Sequence, residues 1–411
     1  GEPAEALGGR HEQIDPGNLL INIGAEPMLV DAGYGPGGTE DPDREGLLYA
    51  GTEFGLFISF DNGAHWQSFQ QNLPNVPVAD IKVFRKDLIV ATQGRSLWIL
   101  DDLSVLHQLE ASKSDAQAIL YQPKDSYRTK GGAMNTPSKT EGQNHPNGIV
   151  THFYLRDFTE KDSVALTYTT MGGDTLATYS TYAEDDDKKL KVKKGGNTHV
   201  WDTRGKGAER LKGMILWWAN LNGPKAVPGS YKVHLNALGE SQSQTFKILP
   251  DPRAEVSVAD MQKQHAFITD VNNTVDRAHQ SIKKIRNVND QLDAFVKQYG
   301  KDDRTKELVE RAKKMKEGFG EIEKALYQTQ NQSNQDPLNF PIRLTNKLAH
   351  LNSLVGLDDF PPTEQDVSVK NELTLEINKQ LSAFDKMVDE EITAFNKAFN
   401  DLNLNYLFVE E

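Results

Sequence analysis

The chain contains two hydrophobic periods, one before and one after residue 251. In the first part, apolar residues alternate with polar ones or form short runs between turn residues, a pattern that predicts β-strands. Residues 231–236 show this alternation most clearly. In the last third, apolar residues recur at steps of three and four, which predicts amphipathic helices. The chain is therefore expected to form β structure first and α structure afterwards.

An eight-residue motif of the form S-x-D-x-G-x-x-W, residues 59–66, lies between two apolar runs. Asp61 can accept hydrogen bonds from backbone N–H groups two residues on, and Gly63 can adopt the positive φ that a turn requires. Trp66 can cover the turn from the returning strand. We therefore predict a hairpin in which Ser59, Asp61, Gly63 and Trp66 have structural roles.

Six short strands are predicted around this motif, each bounded by turn residues. They occupy residues 47–50, 56–60, 66–70, 78–85, 88–92 and 97–100.

Four segments resemble the Asp-box, or BNR-repeat, β-propellers, and in particular the bacterial sortilin-like proteins often described as glycosyl hydrolases. They are residues 46–53, 59–66, 73–78 and 91–102, in the order and spacing of that family. The resemblance implies that residues 1–110 form part of a propeller, with an Asp-box blade at 46–102. Because propellers close with about four to eight blades, the chain would be the C-terminal portion of a larger protein, or other polypeptide would supply the missing blades.

The middle of the chain is expected to form a linker and a second β domain. Residues 111–148 are rich in Lys, Gly, Pro and Ser with few apolar residues, which predicts a linker. Residues 149–250 then carry about seven candidate strands, the number expected of an immunoglobulin-like sandwich. One of these strands is predicted at residues 214–218.

Residues 251–411 are expected to form a helical bundle. Four apolar repeats are separated by loops that contain Gly or Pro, so antiparallel helices sharing one core explain them best. We expect this bundle to fold autonomously and to project from the β domains. Asn289 occupies a seam position and should face inward, at a cost in stability. The predicted fold class is multidomain, β then α: a partial Asp-box β-propeller, an immunoglobulin-like β-sandwich and a C-terminal antiparallel four-helix bundle.

Composition excludes several classes of function. The net charge of -13 argues against a nucleic-acid partner, because phosphate binding needs a concentrated basic surface. The chain has no cysteine, which excludes disulfides and thiolate metal sites. No apolar run approaches the ~20 residues of a membrane-spanning helix, and the chain starts without a signal sequence, so we expect a mature protein or part of a longer precursor. The resemblance implies a secreted, periplasmic or cell-surface location in a bacterium.

Four residues are candidates for chemistry or binding. Asp61 is a possible glycosidase carboxylate, but turn chemistry already accounts for it. Arg95 can bind a carboxylate, although pairing with Asp101 or Asp102 is the simpler interpretation. Trp217 and Trp218 are possible contacts for a glycan or a protein, since adjacent strand residues face opposite ways and only one can be in the core. No catalytic motif is present, and no catalytic residue, metal site or cofactor is predicted.

Two functions remain open from the sequence. The leading hypothesis is a non-catalytic secreted or cell-surface scaffold that binds a protein or a glycan, with a larger cell-envelope assembly as a further candidate partner. The alternative is a glycoside hydrolase whose catalytic carboxylates lie on propeller blades absent from this chain. Two acidic residues facing each other across the central cleft of a complete propeller would favour the enzyme.

Overall fold

The computed structural model describes residues 19–23, 26–30, 38–109, 115–129 and 145–404. Within these residues, the strands precede the long helices along the chain, which confirms the predicted order of β and then α structure. The expectations for residues 1–18 and for most of the predicted linker lie outside the described residues. The first strands, β1 (Leu19–Ile23) and β2 (Glu26–Val30), form an antiparallel pair.

Two small antiparallel sheets follow. The first has the order β3-β4-β5-β6 and the second the order β7-β8-β9, so each strand pairs with its neighbour in sequence. Their apolar residues share one core that includes Tyr49, Ile58 and Leu88. A short helix, α1 (Ser104–His107), comes next. The strands are β3 (Gly38–Glu40), β4 (Leu48–Thr52), β5 (Gly55–Ser59), β6 (Gln67–Ser68), β7 (Val78–Phe84), β8 (Asp87–Thr92) and β9 (Leu97–Leu100).

Two further sheets enclose a second core. Their strands are β10 (Ala118–Leu120), β11 (Ser126–Arg128), β12 (Ile149–Leu155), β13 (Val164–Thr170), β14 (Thr175–Ser180), β15 (Gly195–Trp201), β16 (Gly229–Ala237) and β17 (Glu240–Pro250). One sheet has the order β10-β12-β15 and the other the order β11-β17-β16-β13-β14. Between them, the rings of Trp201 and Tyr168 stack with centroids 4.6 Å apart, and both are fully buried.

The predicted linker contains two strands, β10 and β11, one in each of these sheets. Side chains of β17 hold the first of them, because Glu240 accepts the backbone N–H groups of Gln117 and Ala118. Gln242 accepts the N–H of Leu120 in the same way. These contacts join residues more than a hundred positions apart, so the polar composition of the segment did not reveal them.

Residues 203–225, which we call the arm, leave the second β region and pack on the helices. The predicted strand at residues 214–218 is wrong, since no strand forms between β15 and β16. Three apolar residues of the arm, Leu211, Met214 and Leu221, lie in the same core as the helices. The expected autonomy of the helical region does not fit these contacts, because part of its core comes from the arm.

Five longer helices, rather than the predicted four, make up the C-terminal region, because a π turn divides the last predicted helix into two. They share one core. They are α2 (Val258–Tyr299), α3 (Lys306–Leu326), α4 (Leu344–Val355), α5 (Glu364–Met387) and α6 (Thr393–Asp401), with a π turn at Val388–Ile392 joining the last two. Their bounds follow local signals: the Ser257 hydroxyl caps α2, and Thr363 and Asp366 form a capping box at α5. Among the described residues, no helix is both long and apolar enough to cross a bilayer.

A buried ion pair joins the β and α regions. Arg128, at the end of β11, is 3% exposed and donates a 2.9 Å hydrogen bond to Asp359 in the loop after α4. The same guanidinium donates to Gln264 of α2 at 3.0 Å and to the carbonyl oxygen of Ala226 at 3.0 Å. Gln264 in turn donates to the carbonyl of Val355. One side chain thus joins β11 to α2, to the loop after α4 and to the residue that follows the arm.

Removing one partner of this pair should destabilise the whole chain strongly. Arg128→Ala leaves the Asp359 carboxylate buried without its cation, and such losses cost about 3–5 kcal/mol. Urea unfolding followed by circular dichroism measures the change. Arg304→Ala is the matched control, because Arg304 pairs with Asp302 at the surface, and it should change stability little. Equal effects of the two substitutions would contradict a central role for Arg128.

Asn289 lies half-buried on α2, as its seam position predicts. Its Oδ1 atom is buried, and no group in the described part of the chain donates a hydrogen bond to it. A buried acceptor without a donor costs about 1–3 kcal/mol.

Asn289→Leu should therefore raise the free energy of unfolding by on the order of 1 kcal/mol, because it removes an unpaired acceptor and adds apolar contact. Thermal unfolding of the full chain measures the gain. Asn287→Leu, at an exposed position two residues earlier, is the control. It gains a small difference in helix propensity and loses one exposed hydrogen bond from Gln291, so its net effect should be small. A destabilised Asn289→Leu protein would show that the side chain has a partner in solution.

Candidate functional site

The Asp-box residues form a closed hydrogen-bonded turn between β5 and β6. The Ser59 hydroxyl donates to Asp61 Oδ1 at 2.9 Å and accepts the backbone N–H of Gly63 at 2.9 Å. Asp61 accepts the backbone N–H of His65 at 2.8 Å, four residues on rather than the expected two. Gly63 has a φ of 84°, and Trp66 is 7% exposed with its ring beside Gly63. Each of these residues therefore has a contact within the turn.

The Asp61 carboxylate also contacts the His65 ring, with Oδ2 and Nδ1 2.6 Å apart. The hydrogen bond from this ring, together with the one from the His65 backbone, lowers the pKa of Asp61 to about 2. A carboxylate in this state stays ionised and accepts hydrogen bonds, so it suits a turn rather than a proton donor.

Arg95 lies exposed in the loop before β9. Its carbonyl oxygen accepts the indole N–H of Trp98 at 2.9 Å. The predicted pairing with Asp101 or Asp102 is not formed: Asp102 Oδ1 instead accepts the Ser104 N–H at the start of α1. Within the described residues, the Arg95 guanidinium forms no ion pair, so the structure does not assemble a carboxylate site around it.

Trp217 and Trp218 lie on the arm, where α4 holds their backbone. Asn346 accepts the Trp217 N–H at 2.8 Å and donates to the Trp217 carbonyl at 2.9 Å, so one amide side chain satisfies both backbone groups. His350 contacts the carbonyl of Trp218 through Nδ1. The arm is thus fixed to α4 at the position of the two tryptophans.

Trp218 is the exposed member of this pair. Its side chain is 73% exposed, whereas Trp217 is half-buried. Its φ of 52° lies in the left-handed region, which is an outlier for a bulky residue and costs on the order of 1–3 kcal/mol. The rings of Trp217 and Trp218 meet edge to face with centroids 6.4 Å apart. The fold therefore presents one indole ring to solvent from a strained and anchored backbone.

We call Trp218, His350 and Leu354 the Trp218 surface. His350 and Leu354 are four residues apart on α4 and so share one face of the helix. Leu354 is 47% exposed, so the helix face that carries His350 also exposes apolar area. The prediction from sequence found Trp218 but missed His350 and the anchor Asn346. A buried asparagine on an apolar helix face was the one available signal for the anchor.

A group of Asp41, Asp43 and His107 connects the start of the first β region to α1. One side-chain oxygen or nitrogen from each of the three lies within 4.8 Å of the others. The buried Asp41 carboxylate already accepts hydrogen bonds from Tyr49 at 3.0 Å and from His107 at 2.9 Å. These hydrogen bonds give the Asp41 carboxylate a structural role, because a buried carboxylate needs such donors.

Comparison with known proteins does not assign the chain to a family. No protein-family model matches the chain, and a search of curated proteins found no match.

Asp61→Ala should lower stability without removing a specific activity. The expected loss is at most about 1 kcal/mol, because the carboxylate is 44% exposed and solvent screens its attraction to His65. The folded-state pKa of Asp61 lies below its unfolded value, so this stabilisation is present above the unfolded pKa and is lost as the pH falls through the folded one. Urea unfolding should show the difference between wild type and variant closing from about pH 4 to pH 2.

A difference that stays constant over this pH range would show that the Asp61 carboxylate does not stabilise the turn by its charge. Asp80→Ala, at another exposed position in the same β region, serves as the comparison for a general effect of charge removal.

Proposed function

We propose that this chain is the C-terminal portion of a secreted or cell-surface scaffold of the sortilin-like Asp-box type. In this proposal it binds a protein or a glycan through the Trp218 surface and catalyses no reaction. Residues 38–109 would supply one propeller blade and part of the next, and residues 115–250 an immunoglobulin-like sandwich that connects them to the helices.

The first β region supports the propeller part of this proposal. β3, β4, β5 and β6 form a four-stranded antiparallel meander, which is the unit of a propeller blade. The Asp-box turn lies between its last two strands. β7, β8 and β9 repeat the meander with three strands and share the same core. Because neighbouring blades pack face to face, a shared core is what two consecutive blades require.

The second β region supports the immunoglobulin-like part. The order β17-β16-β13-β14 corresponds to strands G, F, C and C′ of such a sandwich, and β12 and β15 correspond to strands B and E. In addition, Tyr231 near the start of β16 donates its hydroxyl to the carbonyl oxygen of Val227, four residues upstream. This contact has the form of a tyrosine corner, which marks the start of strand F in immunoglobulin-like domains.

The single observation that carries the binding function is the anchored exposure of Trp218. Loops without regular structure that exceed about 12–15 residues are usually functional. The connection between β15 and β16 is longer than this. It contains a strained Trp218 whose ring is largely exposed, while α4 holds the backbone on both sides of it. Rigid exposed aromatic residues supply much of the affinity in binding surfaces, because little conformational entropy is lost when they bind.

Trp218→Ala should lower binding about tenfold or more, the effect expected of a central aromatic contact. We would apply the labelled chain to an oligosaccharide array and to isolated bacterial cell envelopes, and measure the bound amount. Tyr182→Ala is the matched control, because Tyr182 is also an exposed aromatic residue of the β region.

Binding by the Trp218→Ala protein at the wild-type level would refute the role of this surface, as would a wild-type chain that binds neither probe. Release of free sugar from the array by the wild-type chain would instead favour the hydrolase alternative.

A further inference from the structure

A pocket of about 190 Å³ lies where the arm, β14 and α2 meet. One wall is a face of α2 that carries His265, Thr269, Asn273 and Asp276. Their spacing of three to four residues places them along one side of the helix. No residue of the Trp218 surface lines this pocket, so the two sites are separate.

The arm supplies a second wall, with Gly205, Lys206, Gly207 and Pro224 in the lining. Its two ends run antiparallel, since the N–H groups of Gly205 and Ala208 donate to the carbonyls of Pro224 and Leu221. A Cβ atom on Gly207 would lie 2.0 Å from the Leu221 carbonyl oxygen, so only glycine allows this approach. The two glycines add no side chain to the lining, so Lys206 and Pro224 are the arm's side chains at the pocket.

Two polar side chains face this space without a protein partner. Within the described residues, neither the His265 ring nor the Asn273 amide forms a hydrogen bond. The Asp276 carboxylate is held in place, because it accepts the Glu209 N–H and lies 3.7 Å from the ammonium of Lys206. By contrast, the amide of Asn272 is used by the fold: it donates to the carbonyl of Asn222 and accepts from Asn352.

The charges of the pocket balance each other. The Asp276 carboxylate and the Lys206 ammonium form a pair of opposite sign. Burial, reinforced by the nearby Arg128 cation, lowers the pKa of His265, so its ring is neutral at pH 7 and offers one donor and one acceptor. The pocket therefore offers hydrogen-bond donors and acceptors in close proximity without an excess of either charge.

We propose that this pocket binds a single neutral sugar ring. Pockets for drug-sized ligands have volumes of about 300–1,000 Å³. The volume of this pocket is smaller, which limits the ligand to one small ring. Sugar hydroxyls both donate and accept, so they match Asn273, His265 and the Asp276 carboxylate. The C–H face of the ring would contact Leu176 and Pro224, the apolar side chains of the pocket.

The test measures saturation transfer by NMR between the full chain and four free sugars: D-glucose, D-galactose, D-mannose and N-acetyl-D-glucosamine. At least one should bind with a Kd of about 1 mM. Asn273→Trp, which fills the pocket from an exposed helix position, should raise this Kd about tenfold or more. Asn273→Ala removes only the amide and should raise the Kd severalfold. This smaller substitution keeps the test valid if Asn273→Trp has a folding defect.

Asn287→Ala is the matched control, because it removes an exposed asparagine about 21 Å further along the same helix, and it should bind like wild type. The inference is overturned if none of the four sugars binds, or if Asn273→Trp and wild type bind equally. Free monosaccharides are separate probes from the arrays and envelopes that test Trp218, so failure of one proposal does not decide the other.

Discussion

The structure depends on the buried guanidinium of Arg128. It joins the second β region to α2, to the loop after α4 and to the residue that follows the arm, because its donors reach Gln264, Asp359 and the carbonyl of Ala226. A buried cation is costly unless it is paired and hydrogen-bonded. The geometry of the joint is consequently specified: a shifted arm or helix would leave the guanidinium without acceptors. The positions of the Trp218 surface and the pocket follow from this constraint, because both lie between the arm and the helices.

The sequence predicted the parts of the fold that repeat. The four predicted helices coincide with α2, α3, α4 and the segment from α5 to α6, because their apolar steps continue over many turns. The Asp-box turn was found because its contacts lie within eight residues. Arg128 was not found, since it lies in a polar segment expected to be a linker and its partner Asp359 is 231 positions away. No local sequence pattern predicts a contact between residues so far apart. Only the three-dimensional structure places a lone arginine beside its carboxylate.

The candidate site was predicted only in part, again because its contacts join residues that are far apart in the sequence. Trp217 and Trp218 stood out by residue type, but the strand assigned to them was wrong because the apolar residues nearby are partners of the helices rather than of a sheet. The side chain of Asn346 contacts backbone atoms of Trp217, and backbone atoms are the same in every residue. The pocket was missed entirely, because its lining comes from β14, the arm and α2, which are separate segments of the sequence.

The contacts of the arm show which forces hold it and which forces position it. Three buried apolar side chains, Leu211, Met214 and Leu221, contribute about 1.5–3 kcal/mol each when fully buried. The side-chain hydrogen bonds from α4 contribute about 0.5–1.5 kcal/mol each, so burial supplies most of the attraction. Burial has no direction, however, and would tolerate a shift along α4. The paired bonds of Asn346 do not tolerate it, and they provide the directional support for the strained backbone at Trp218.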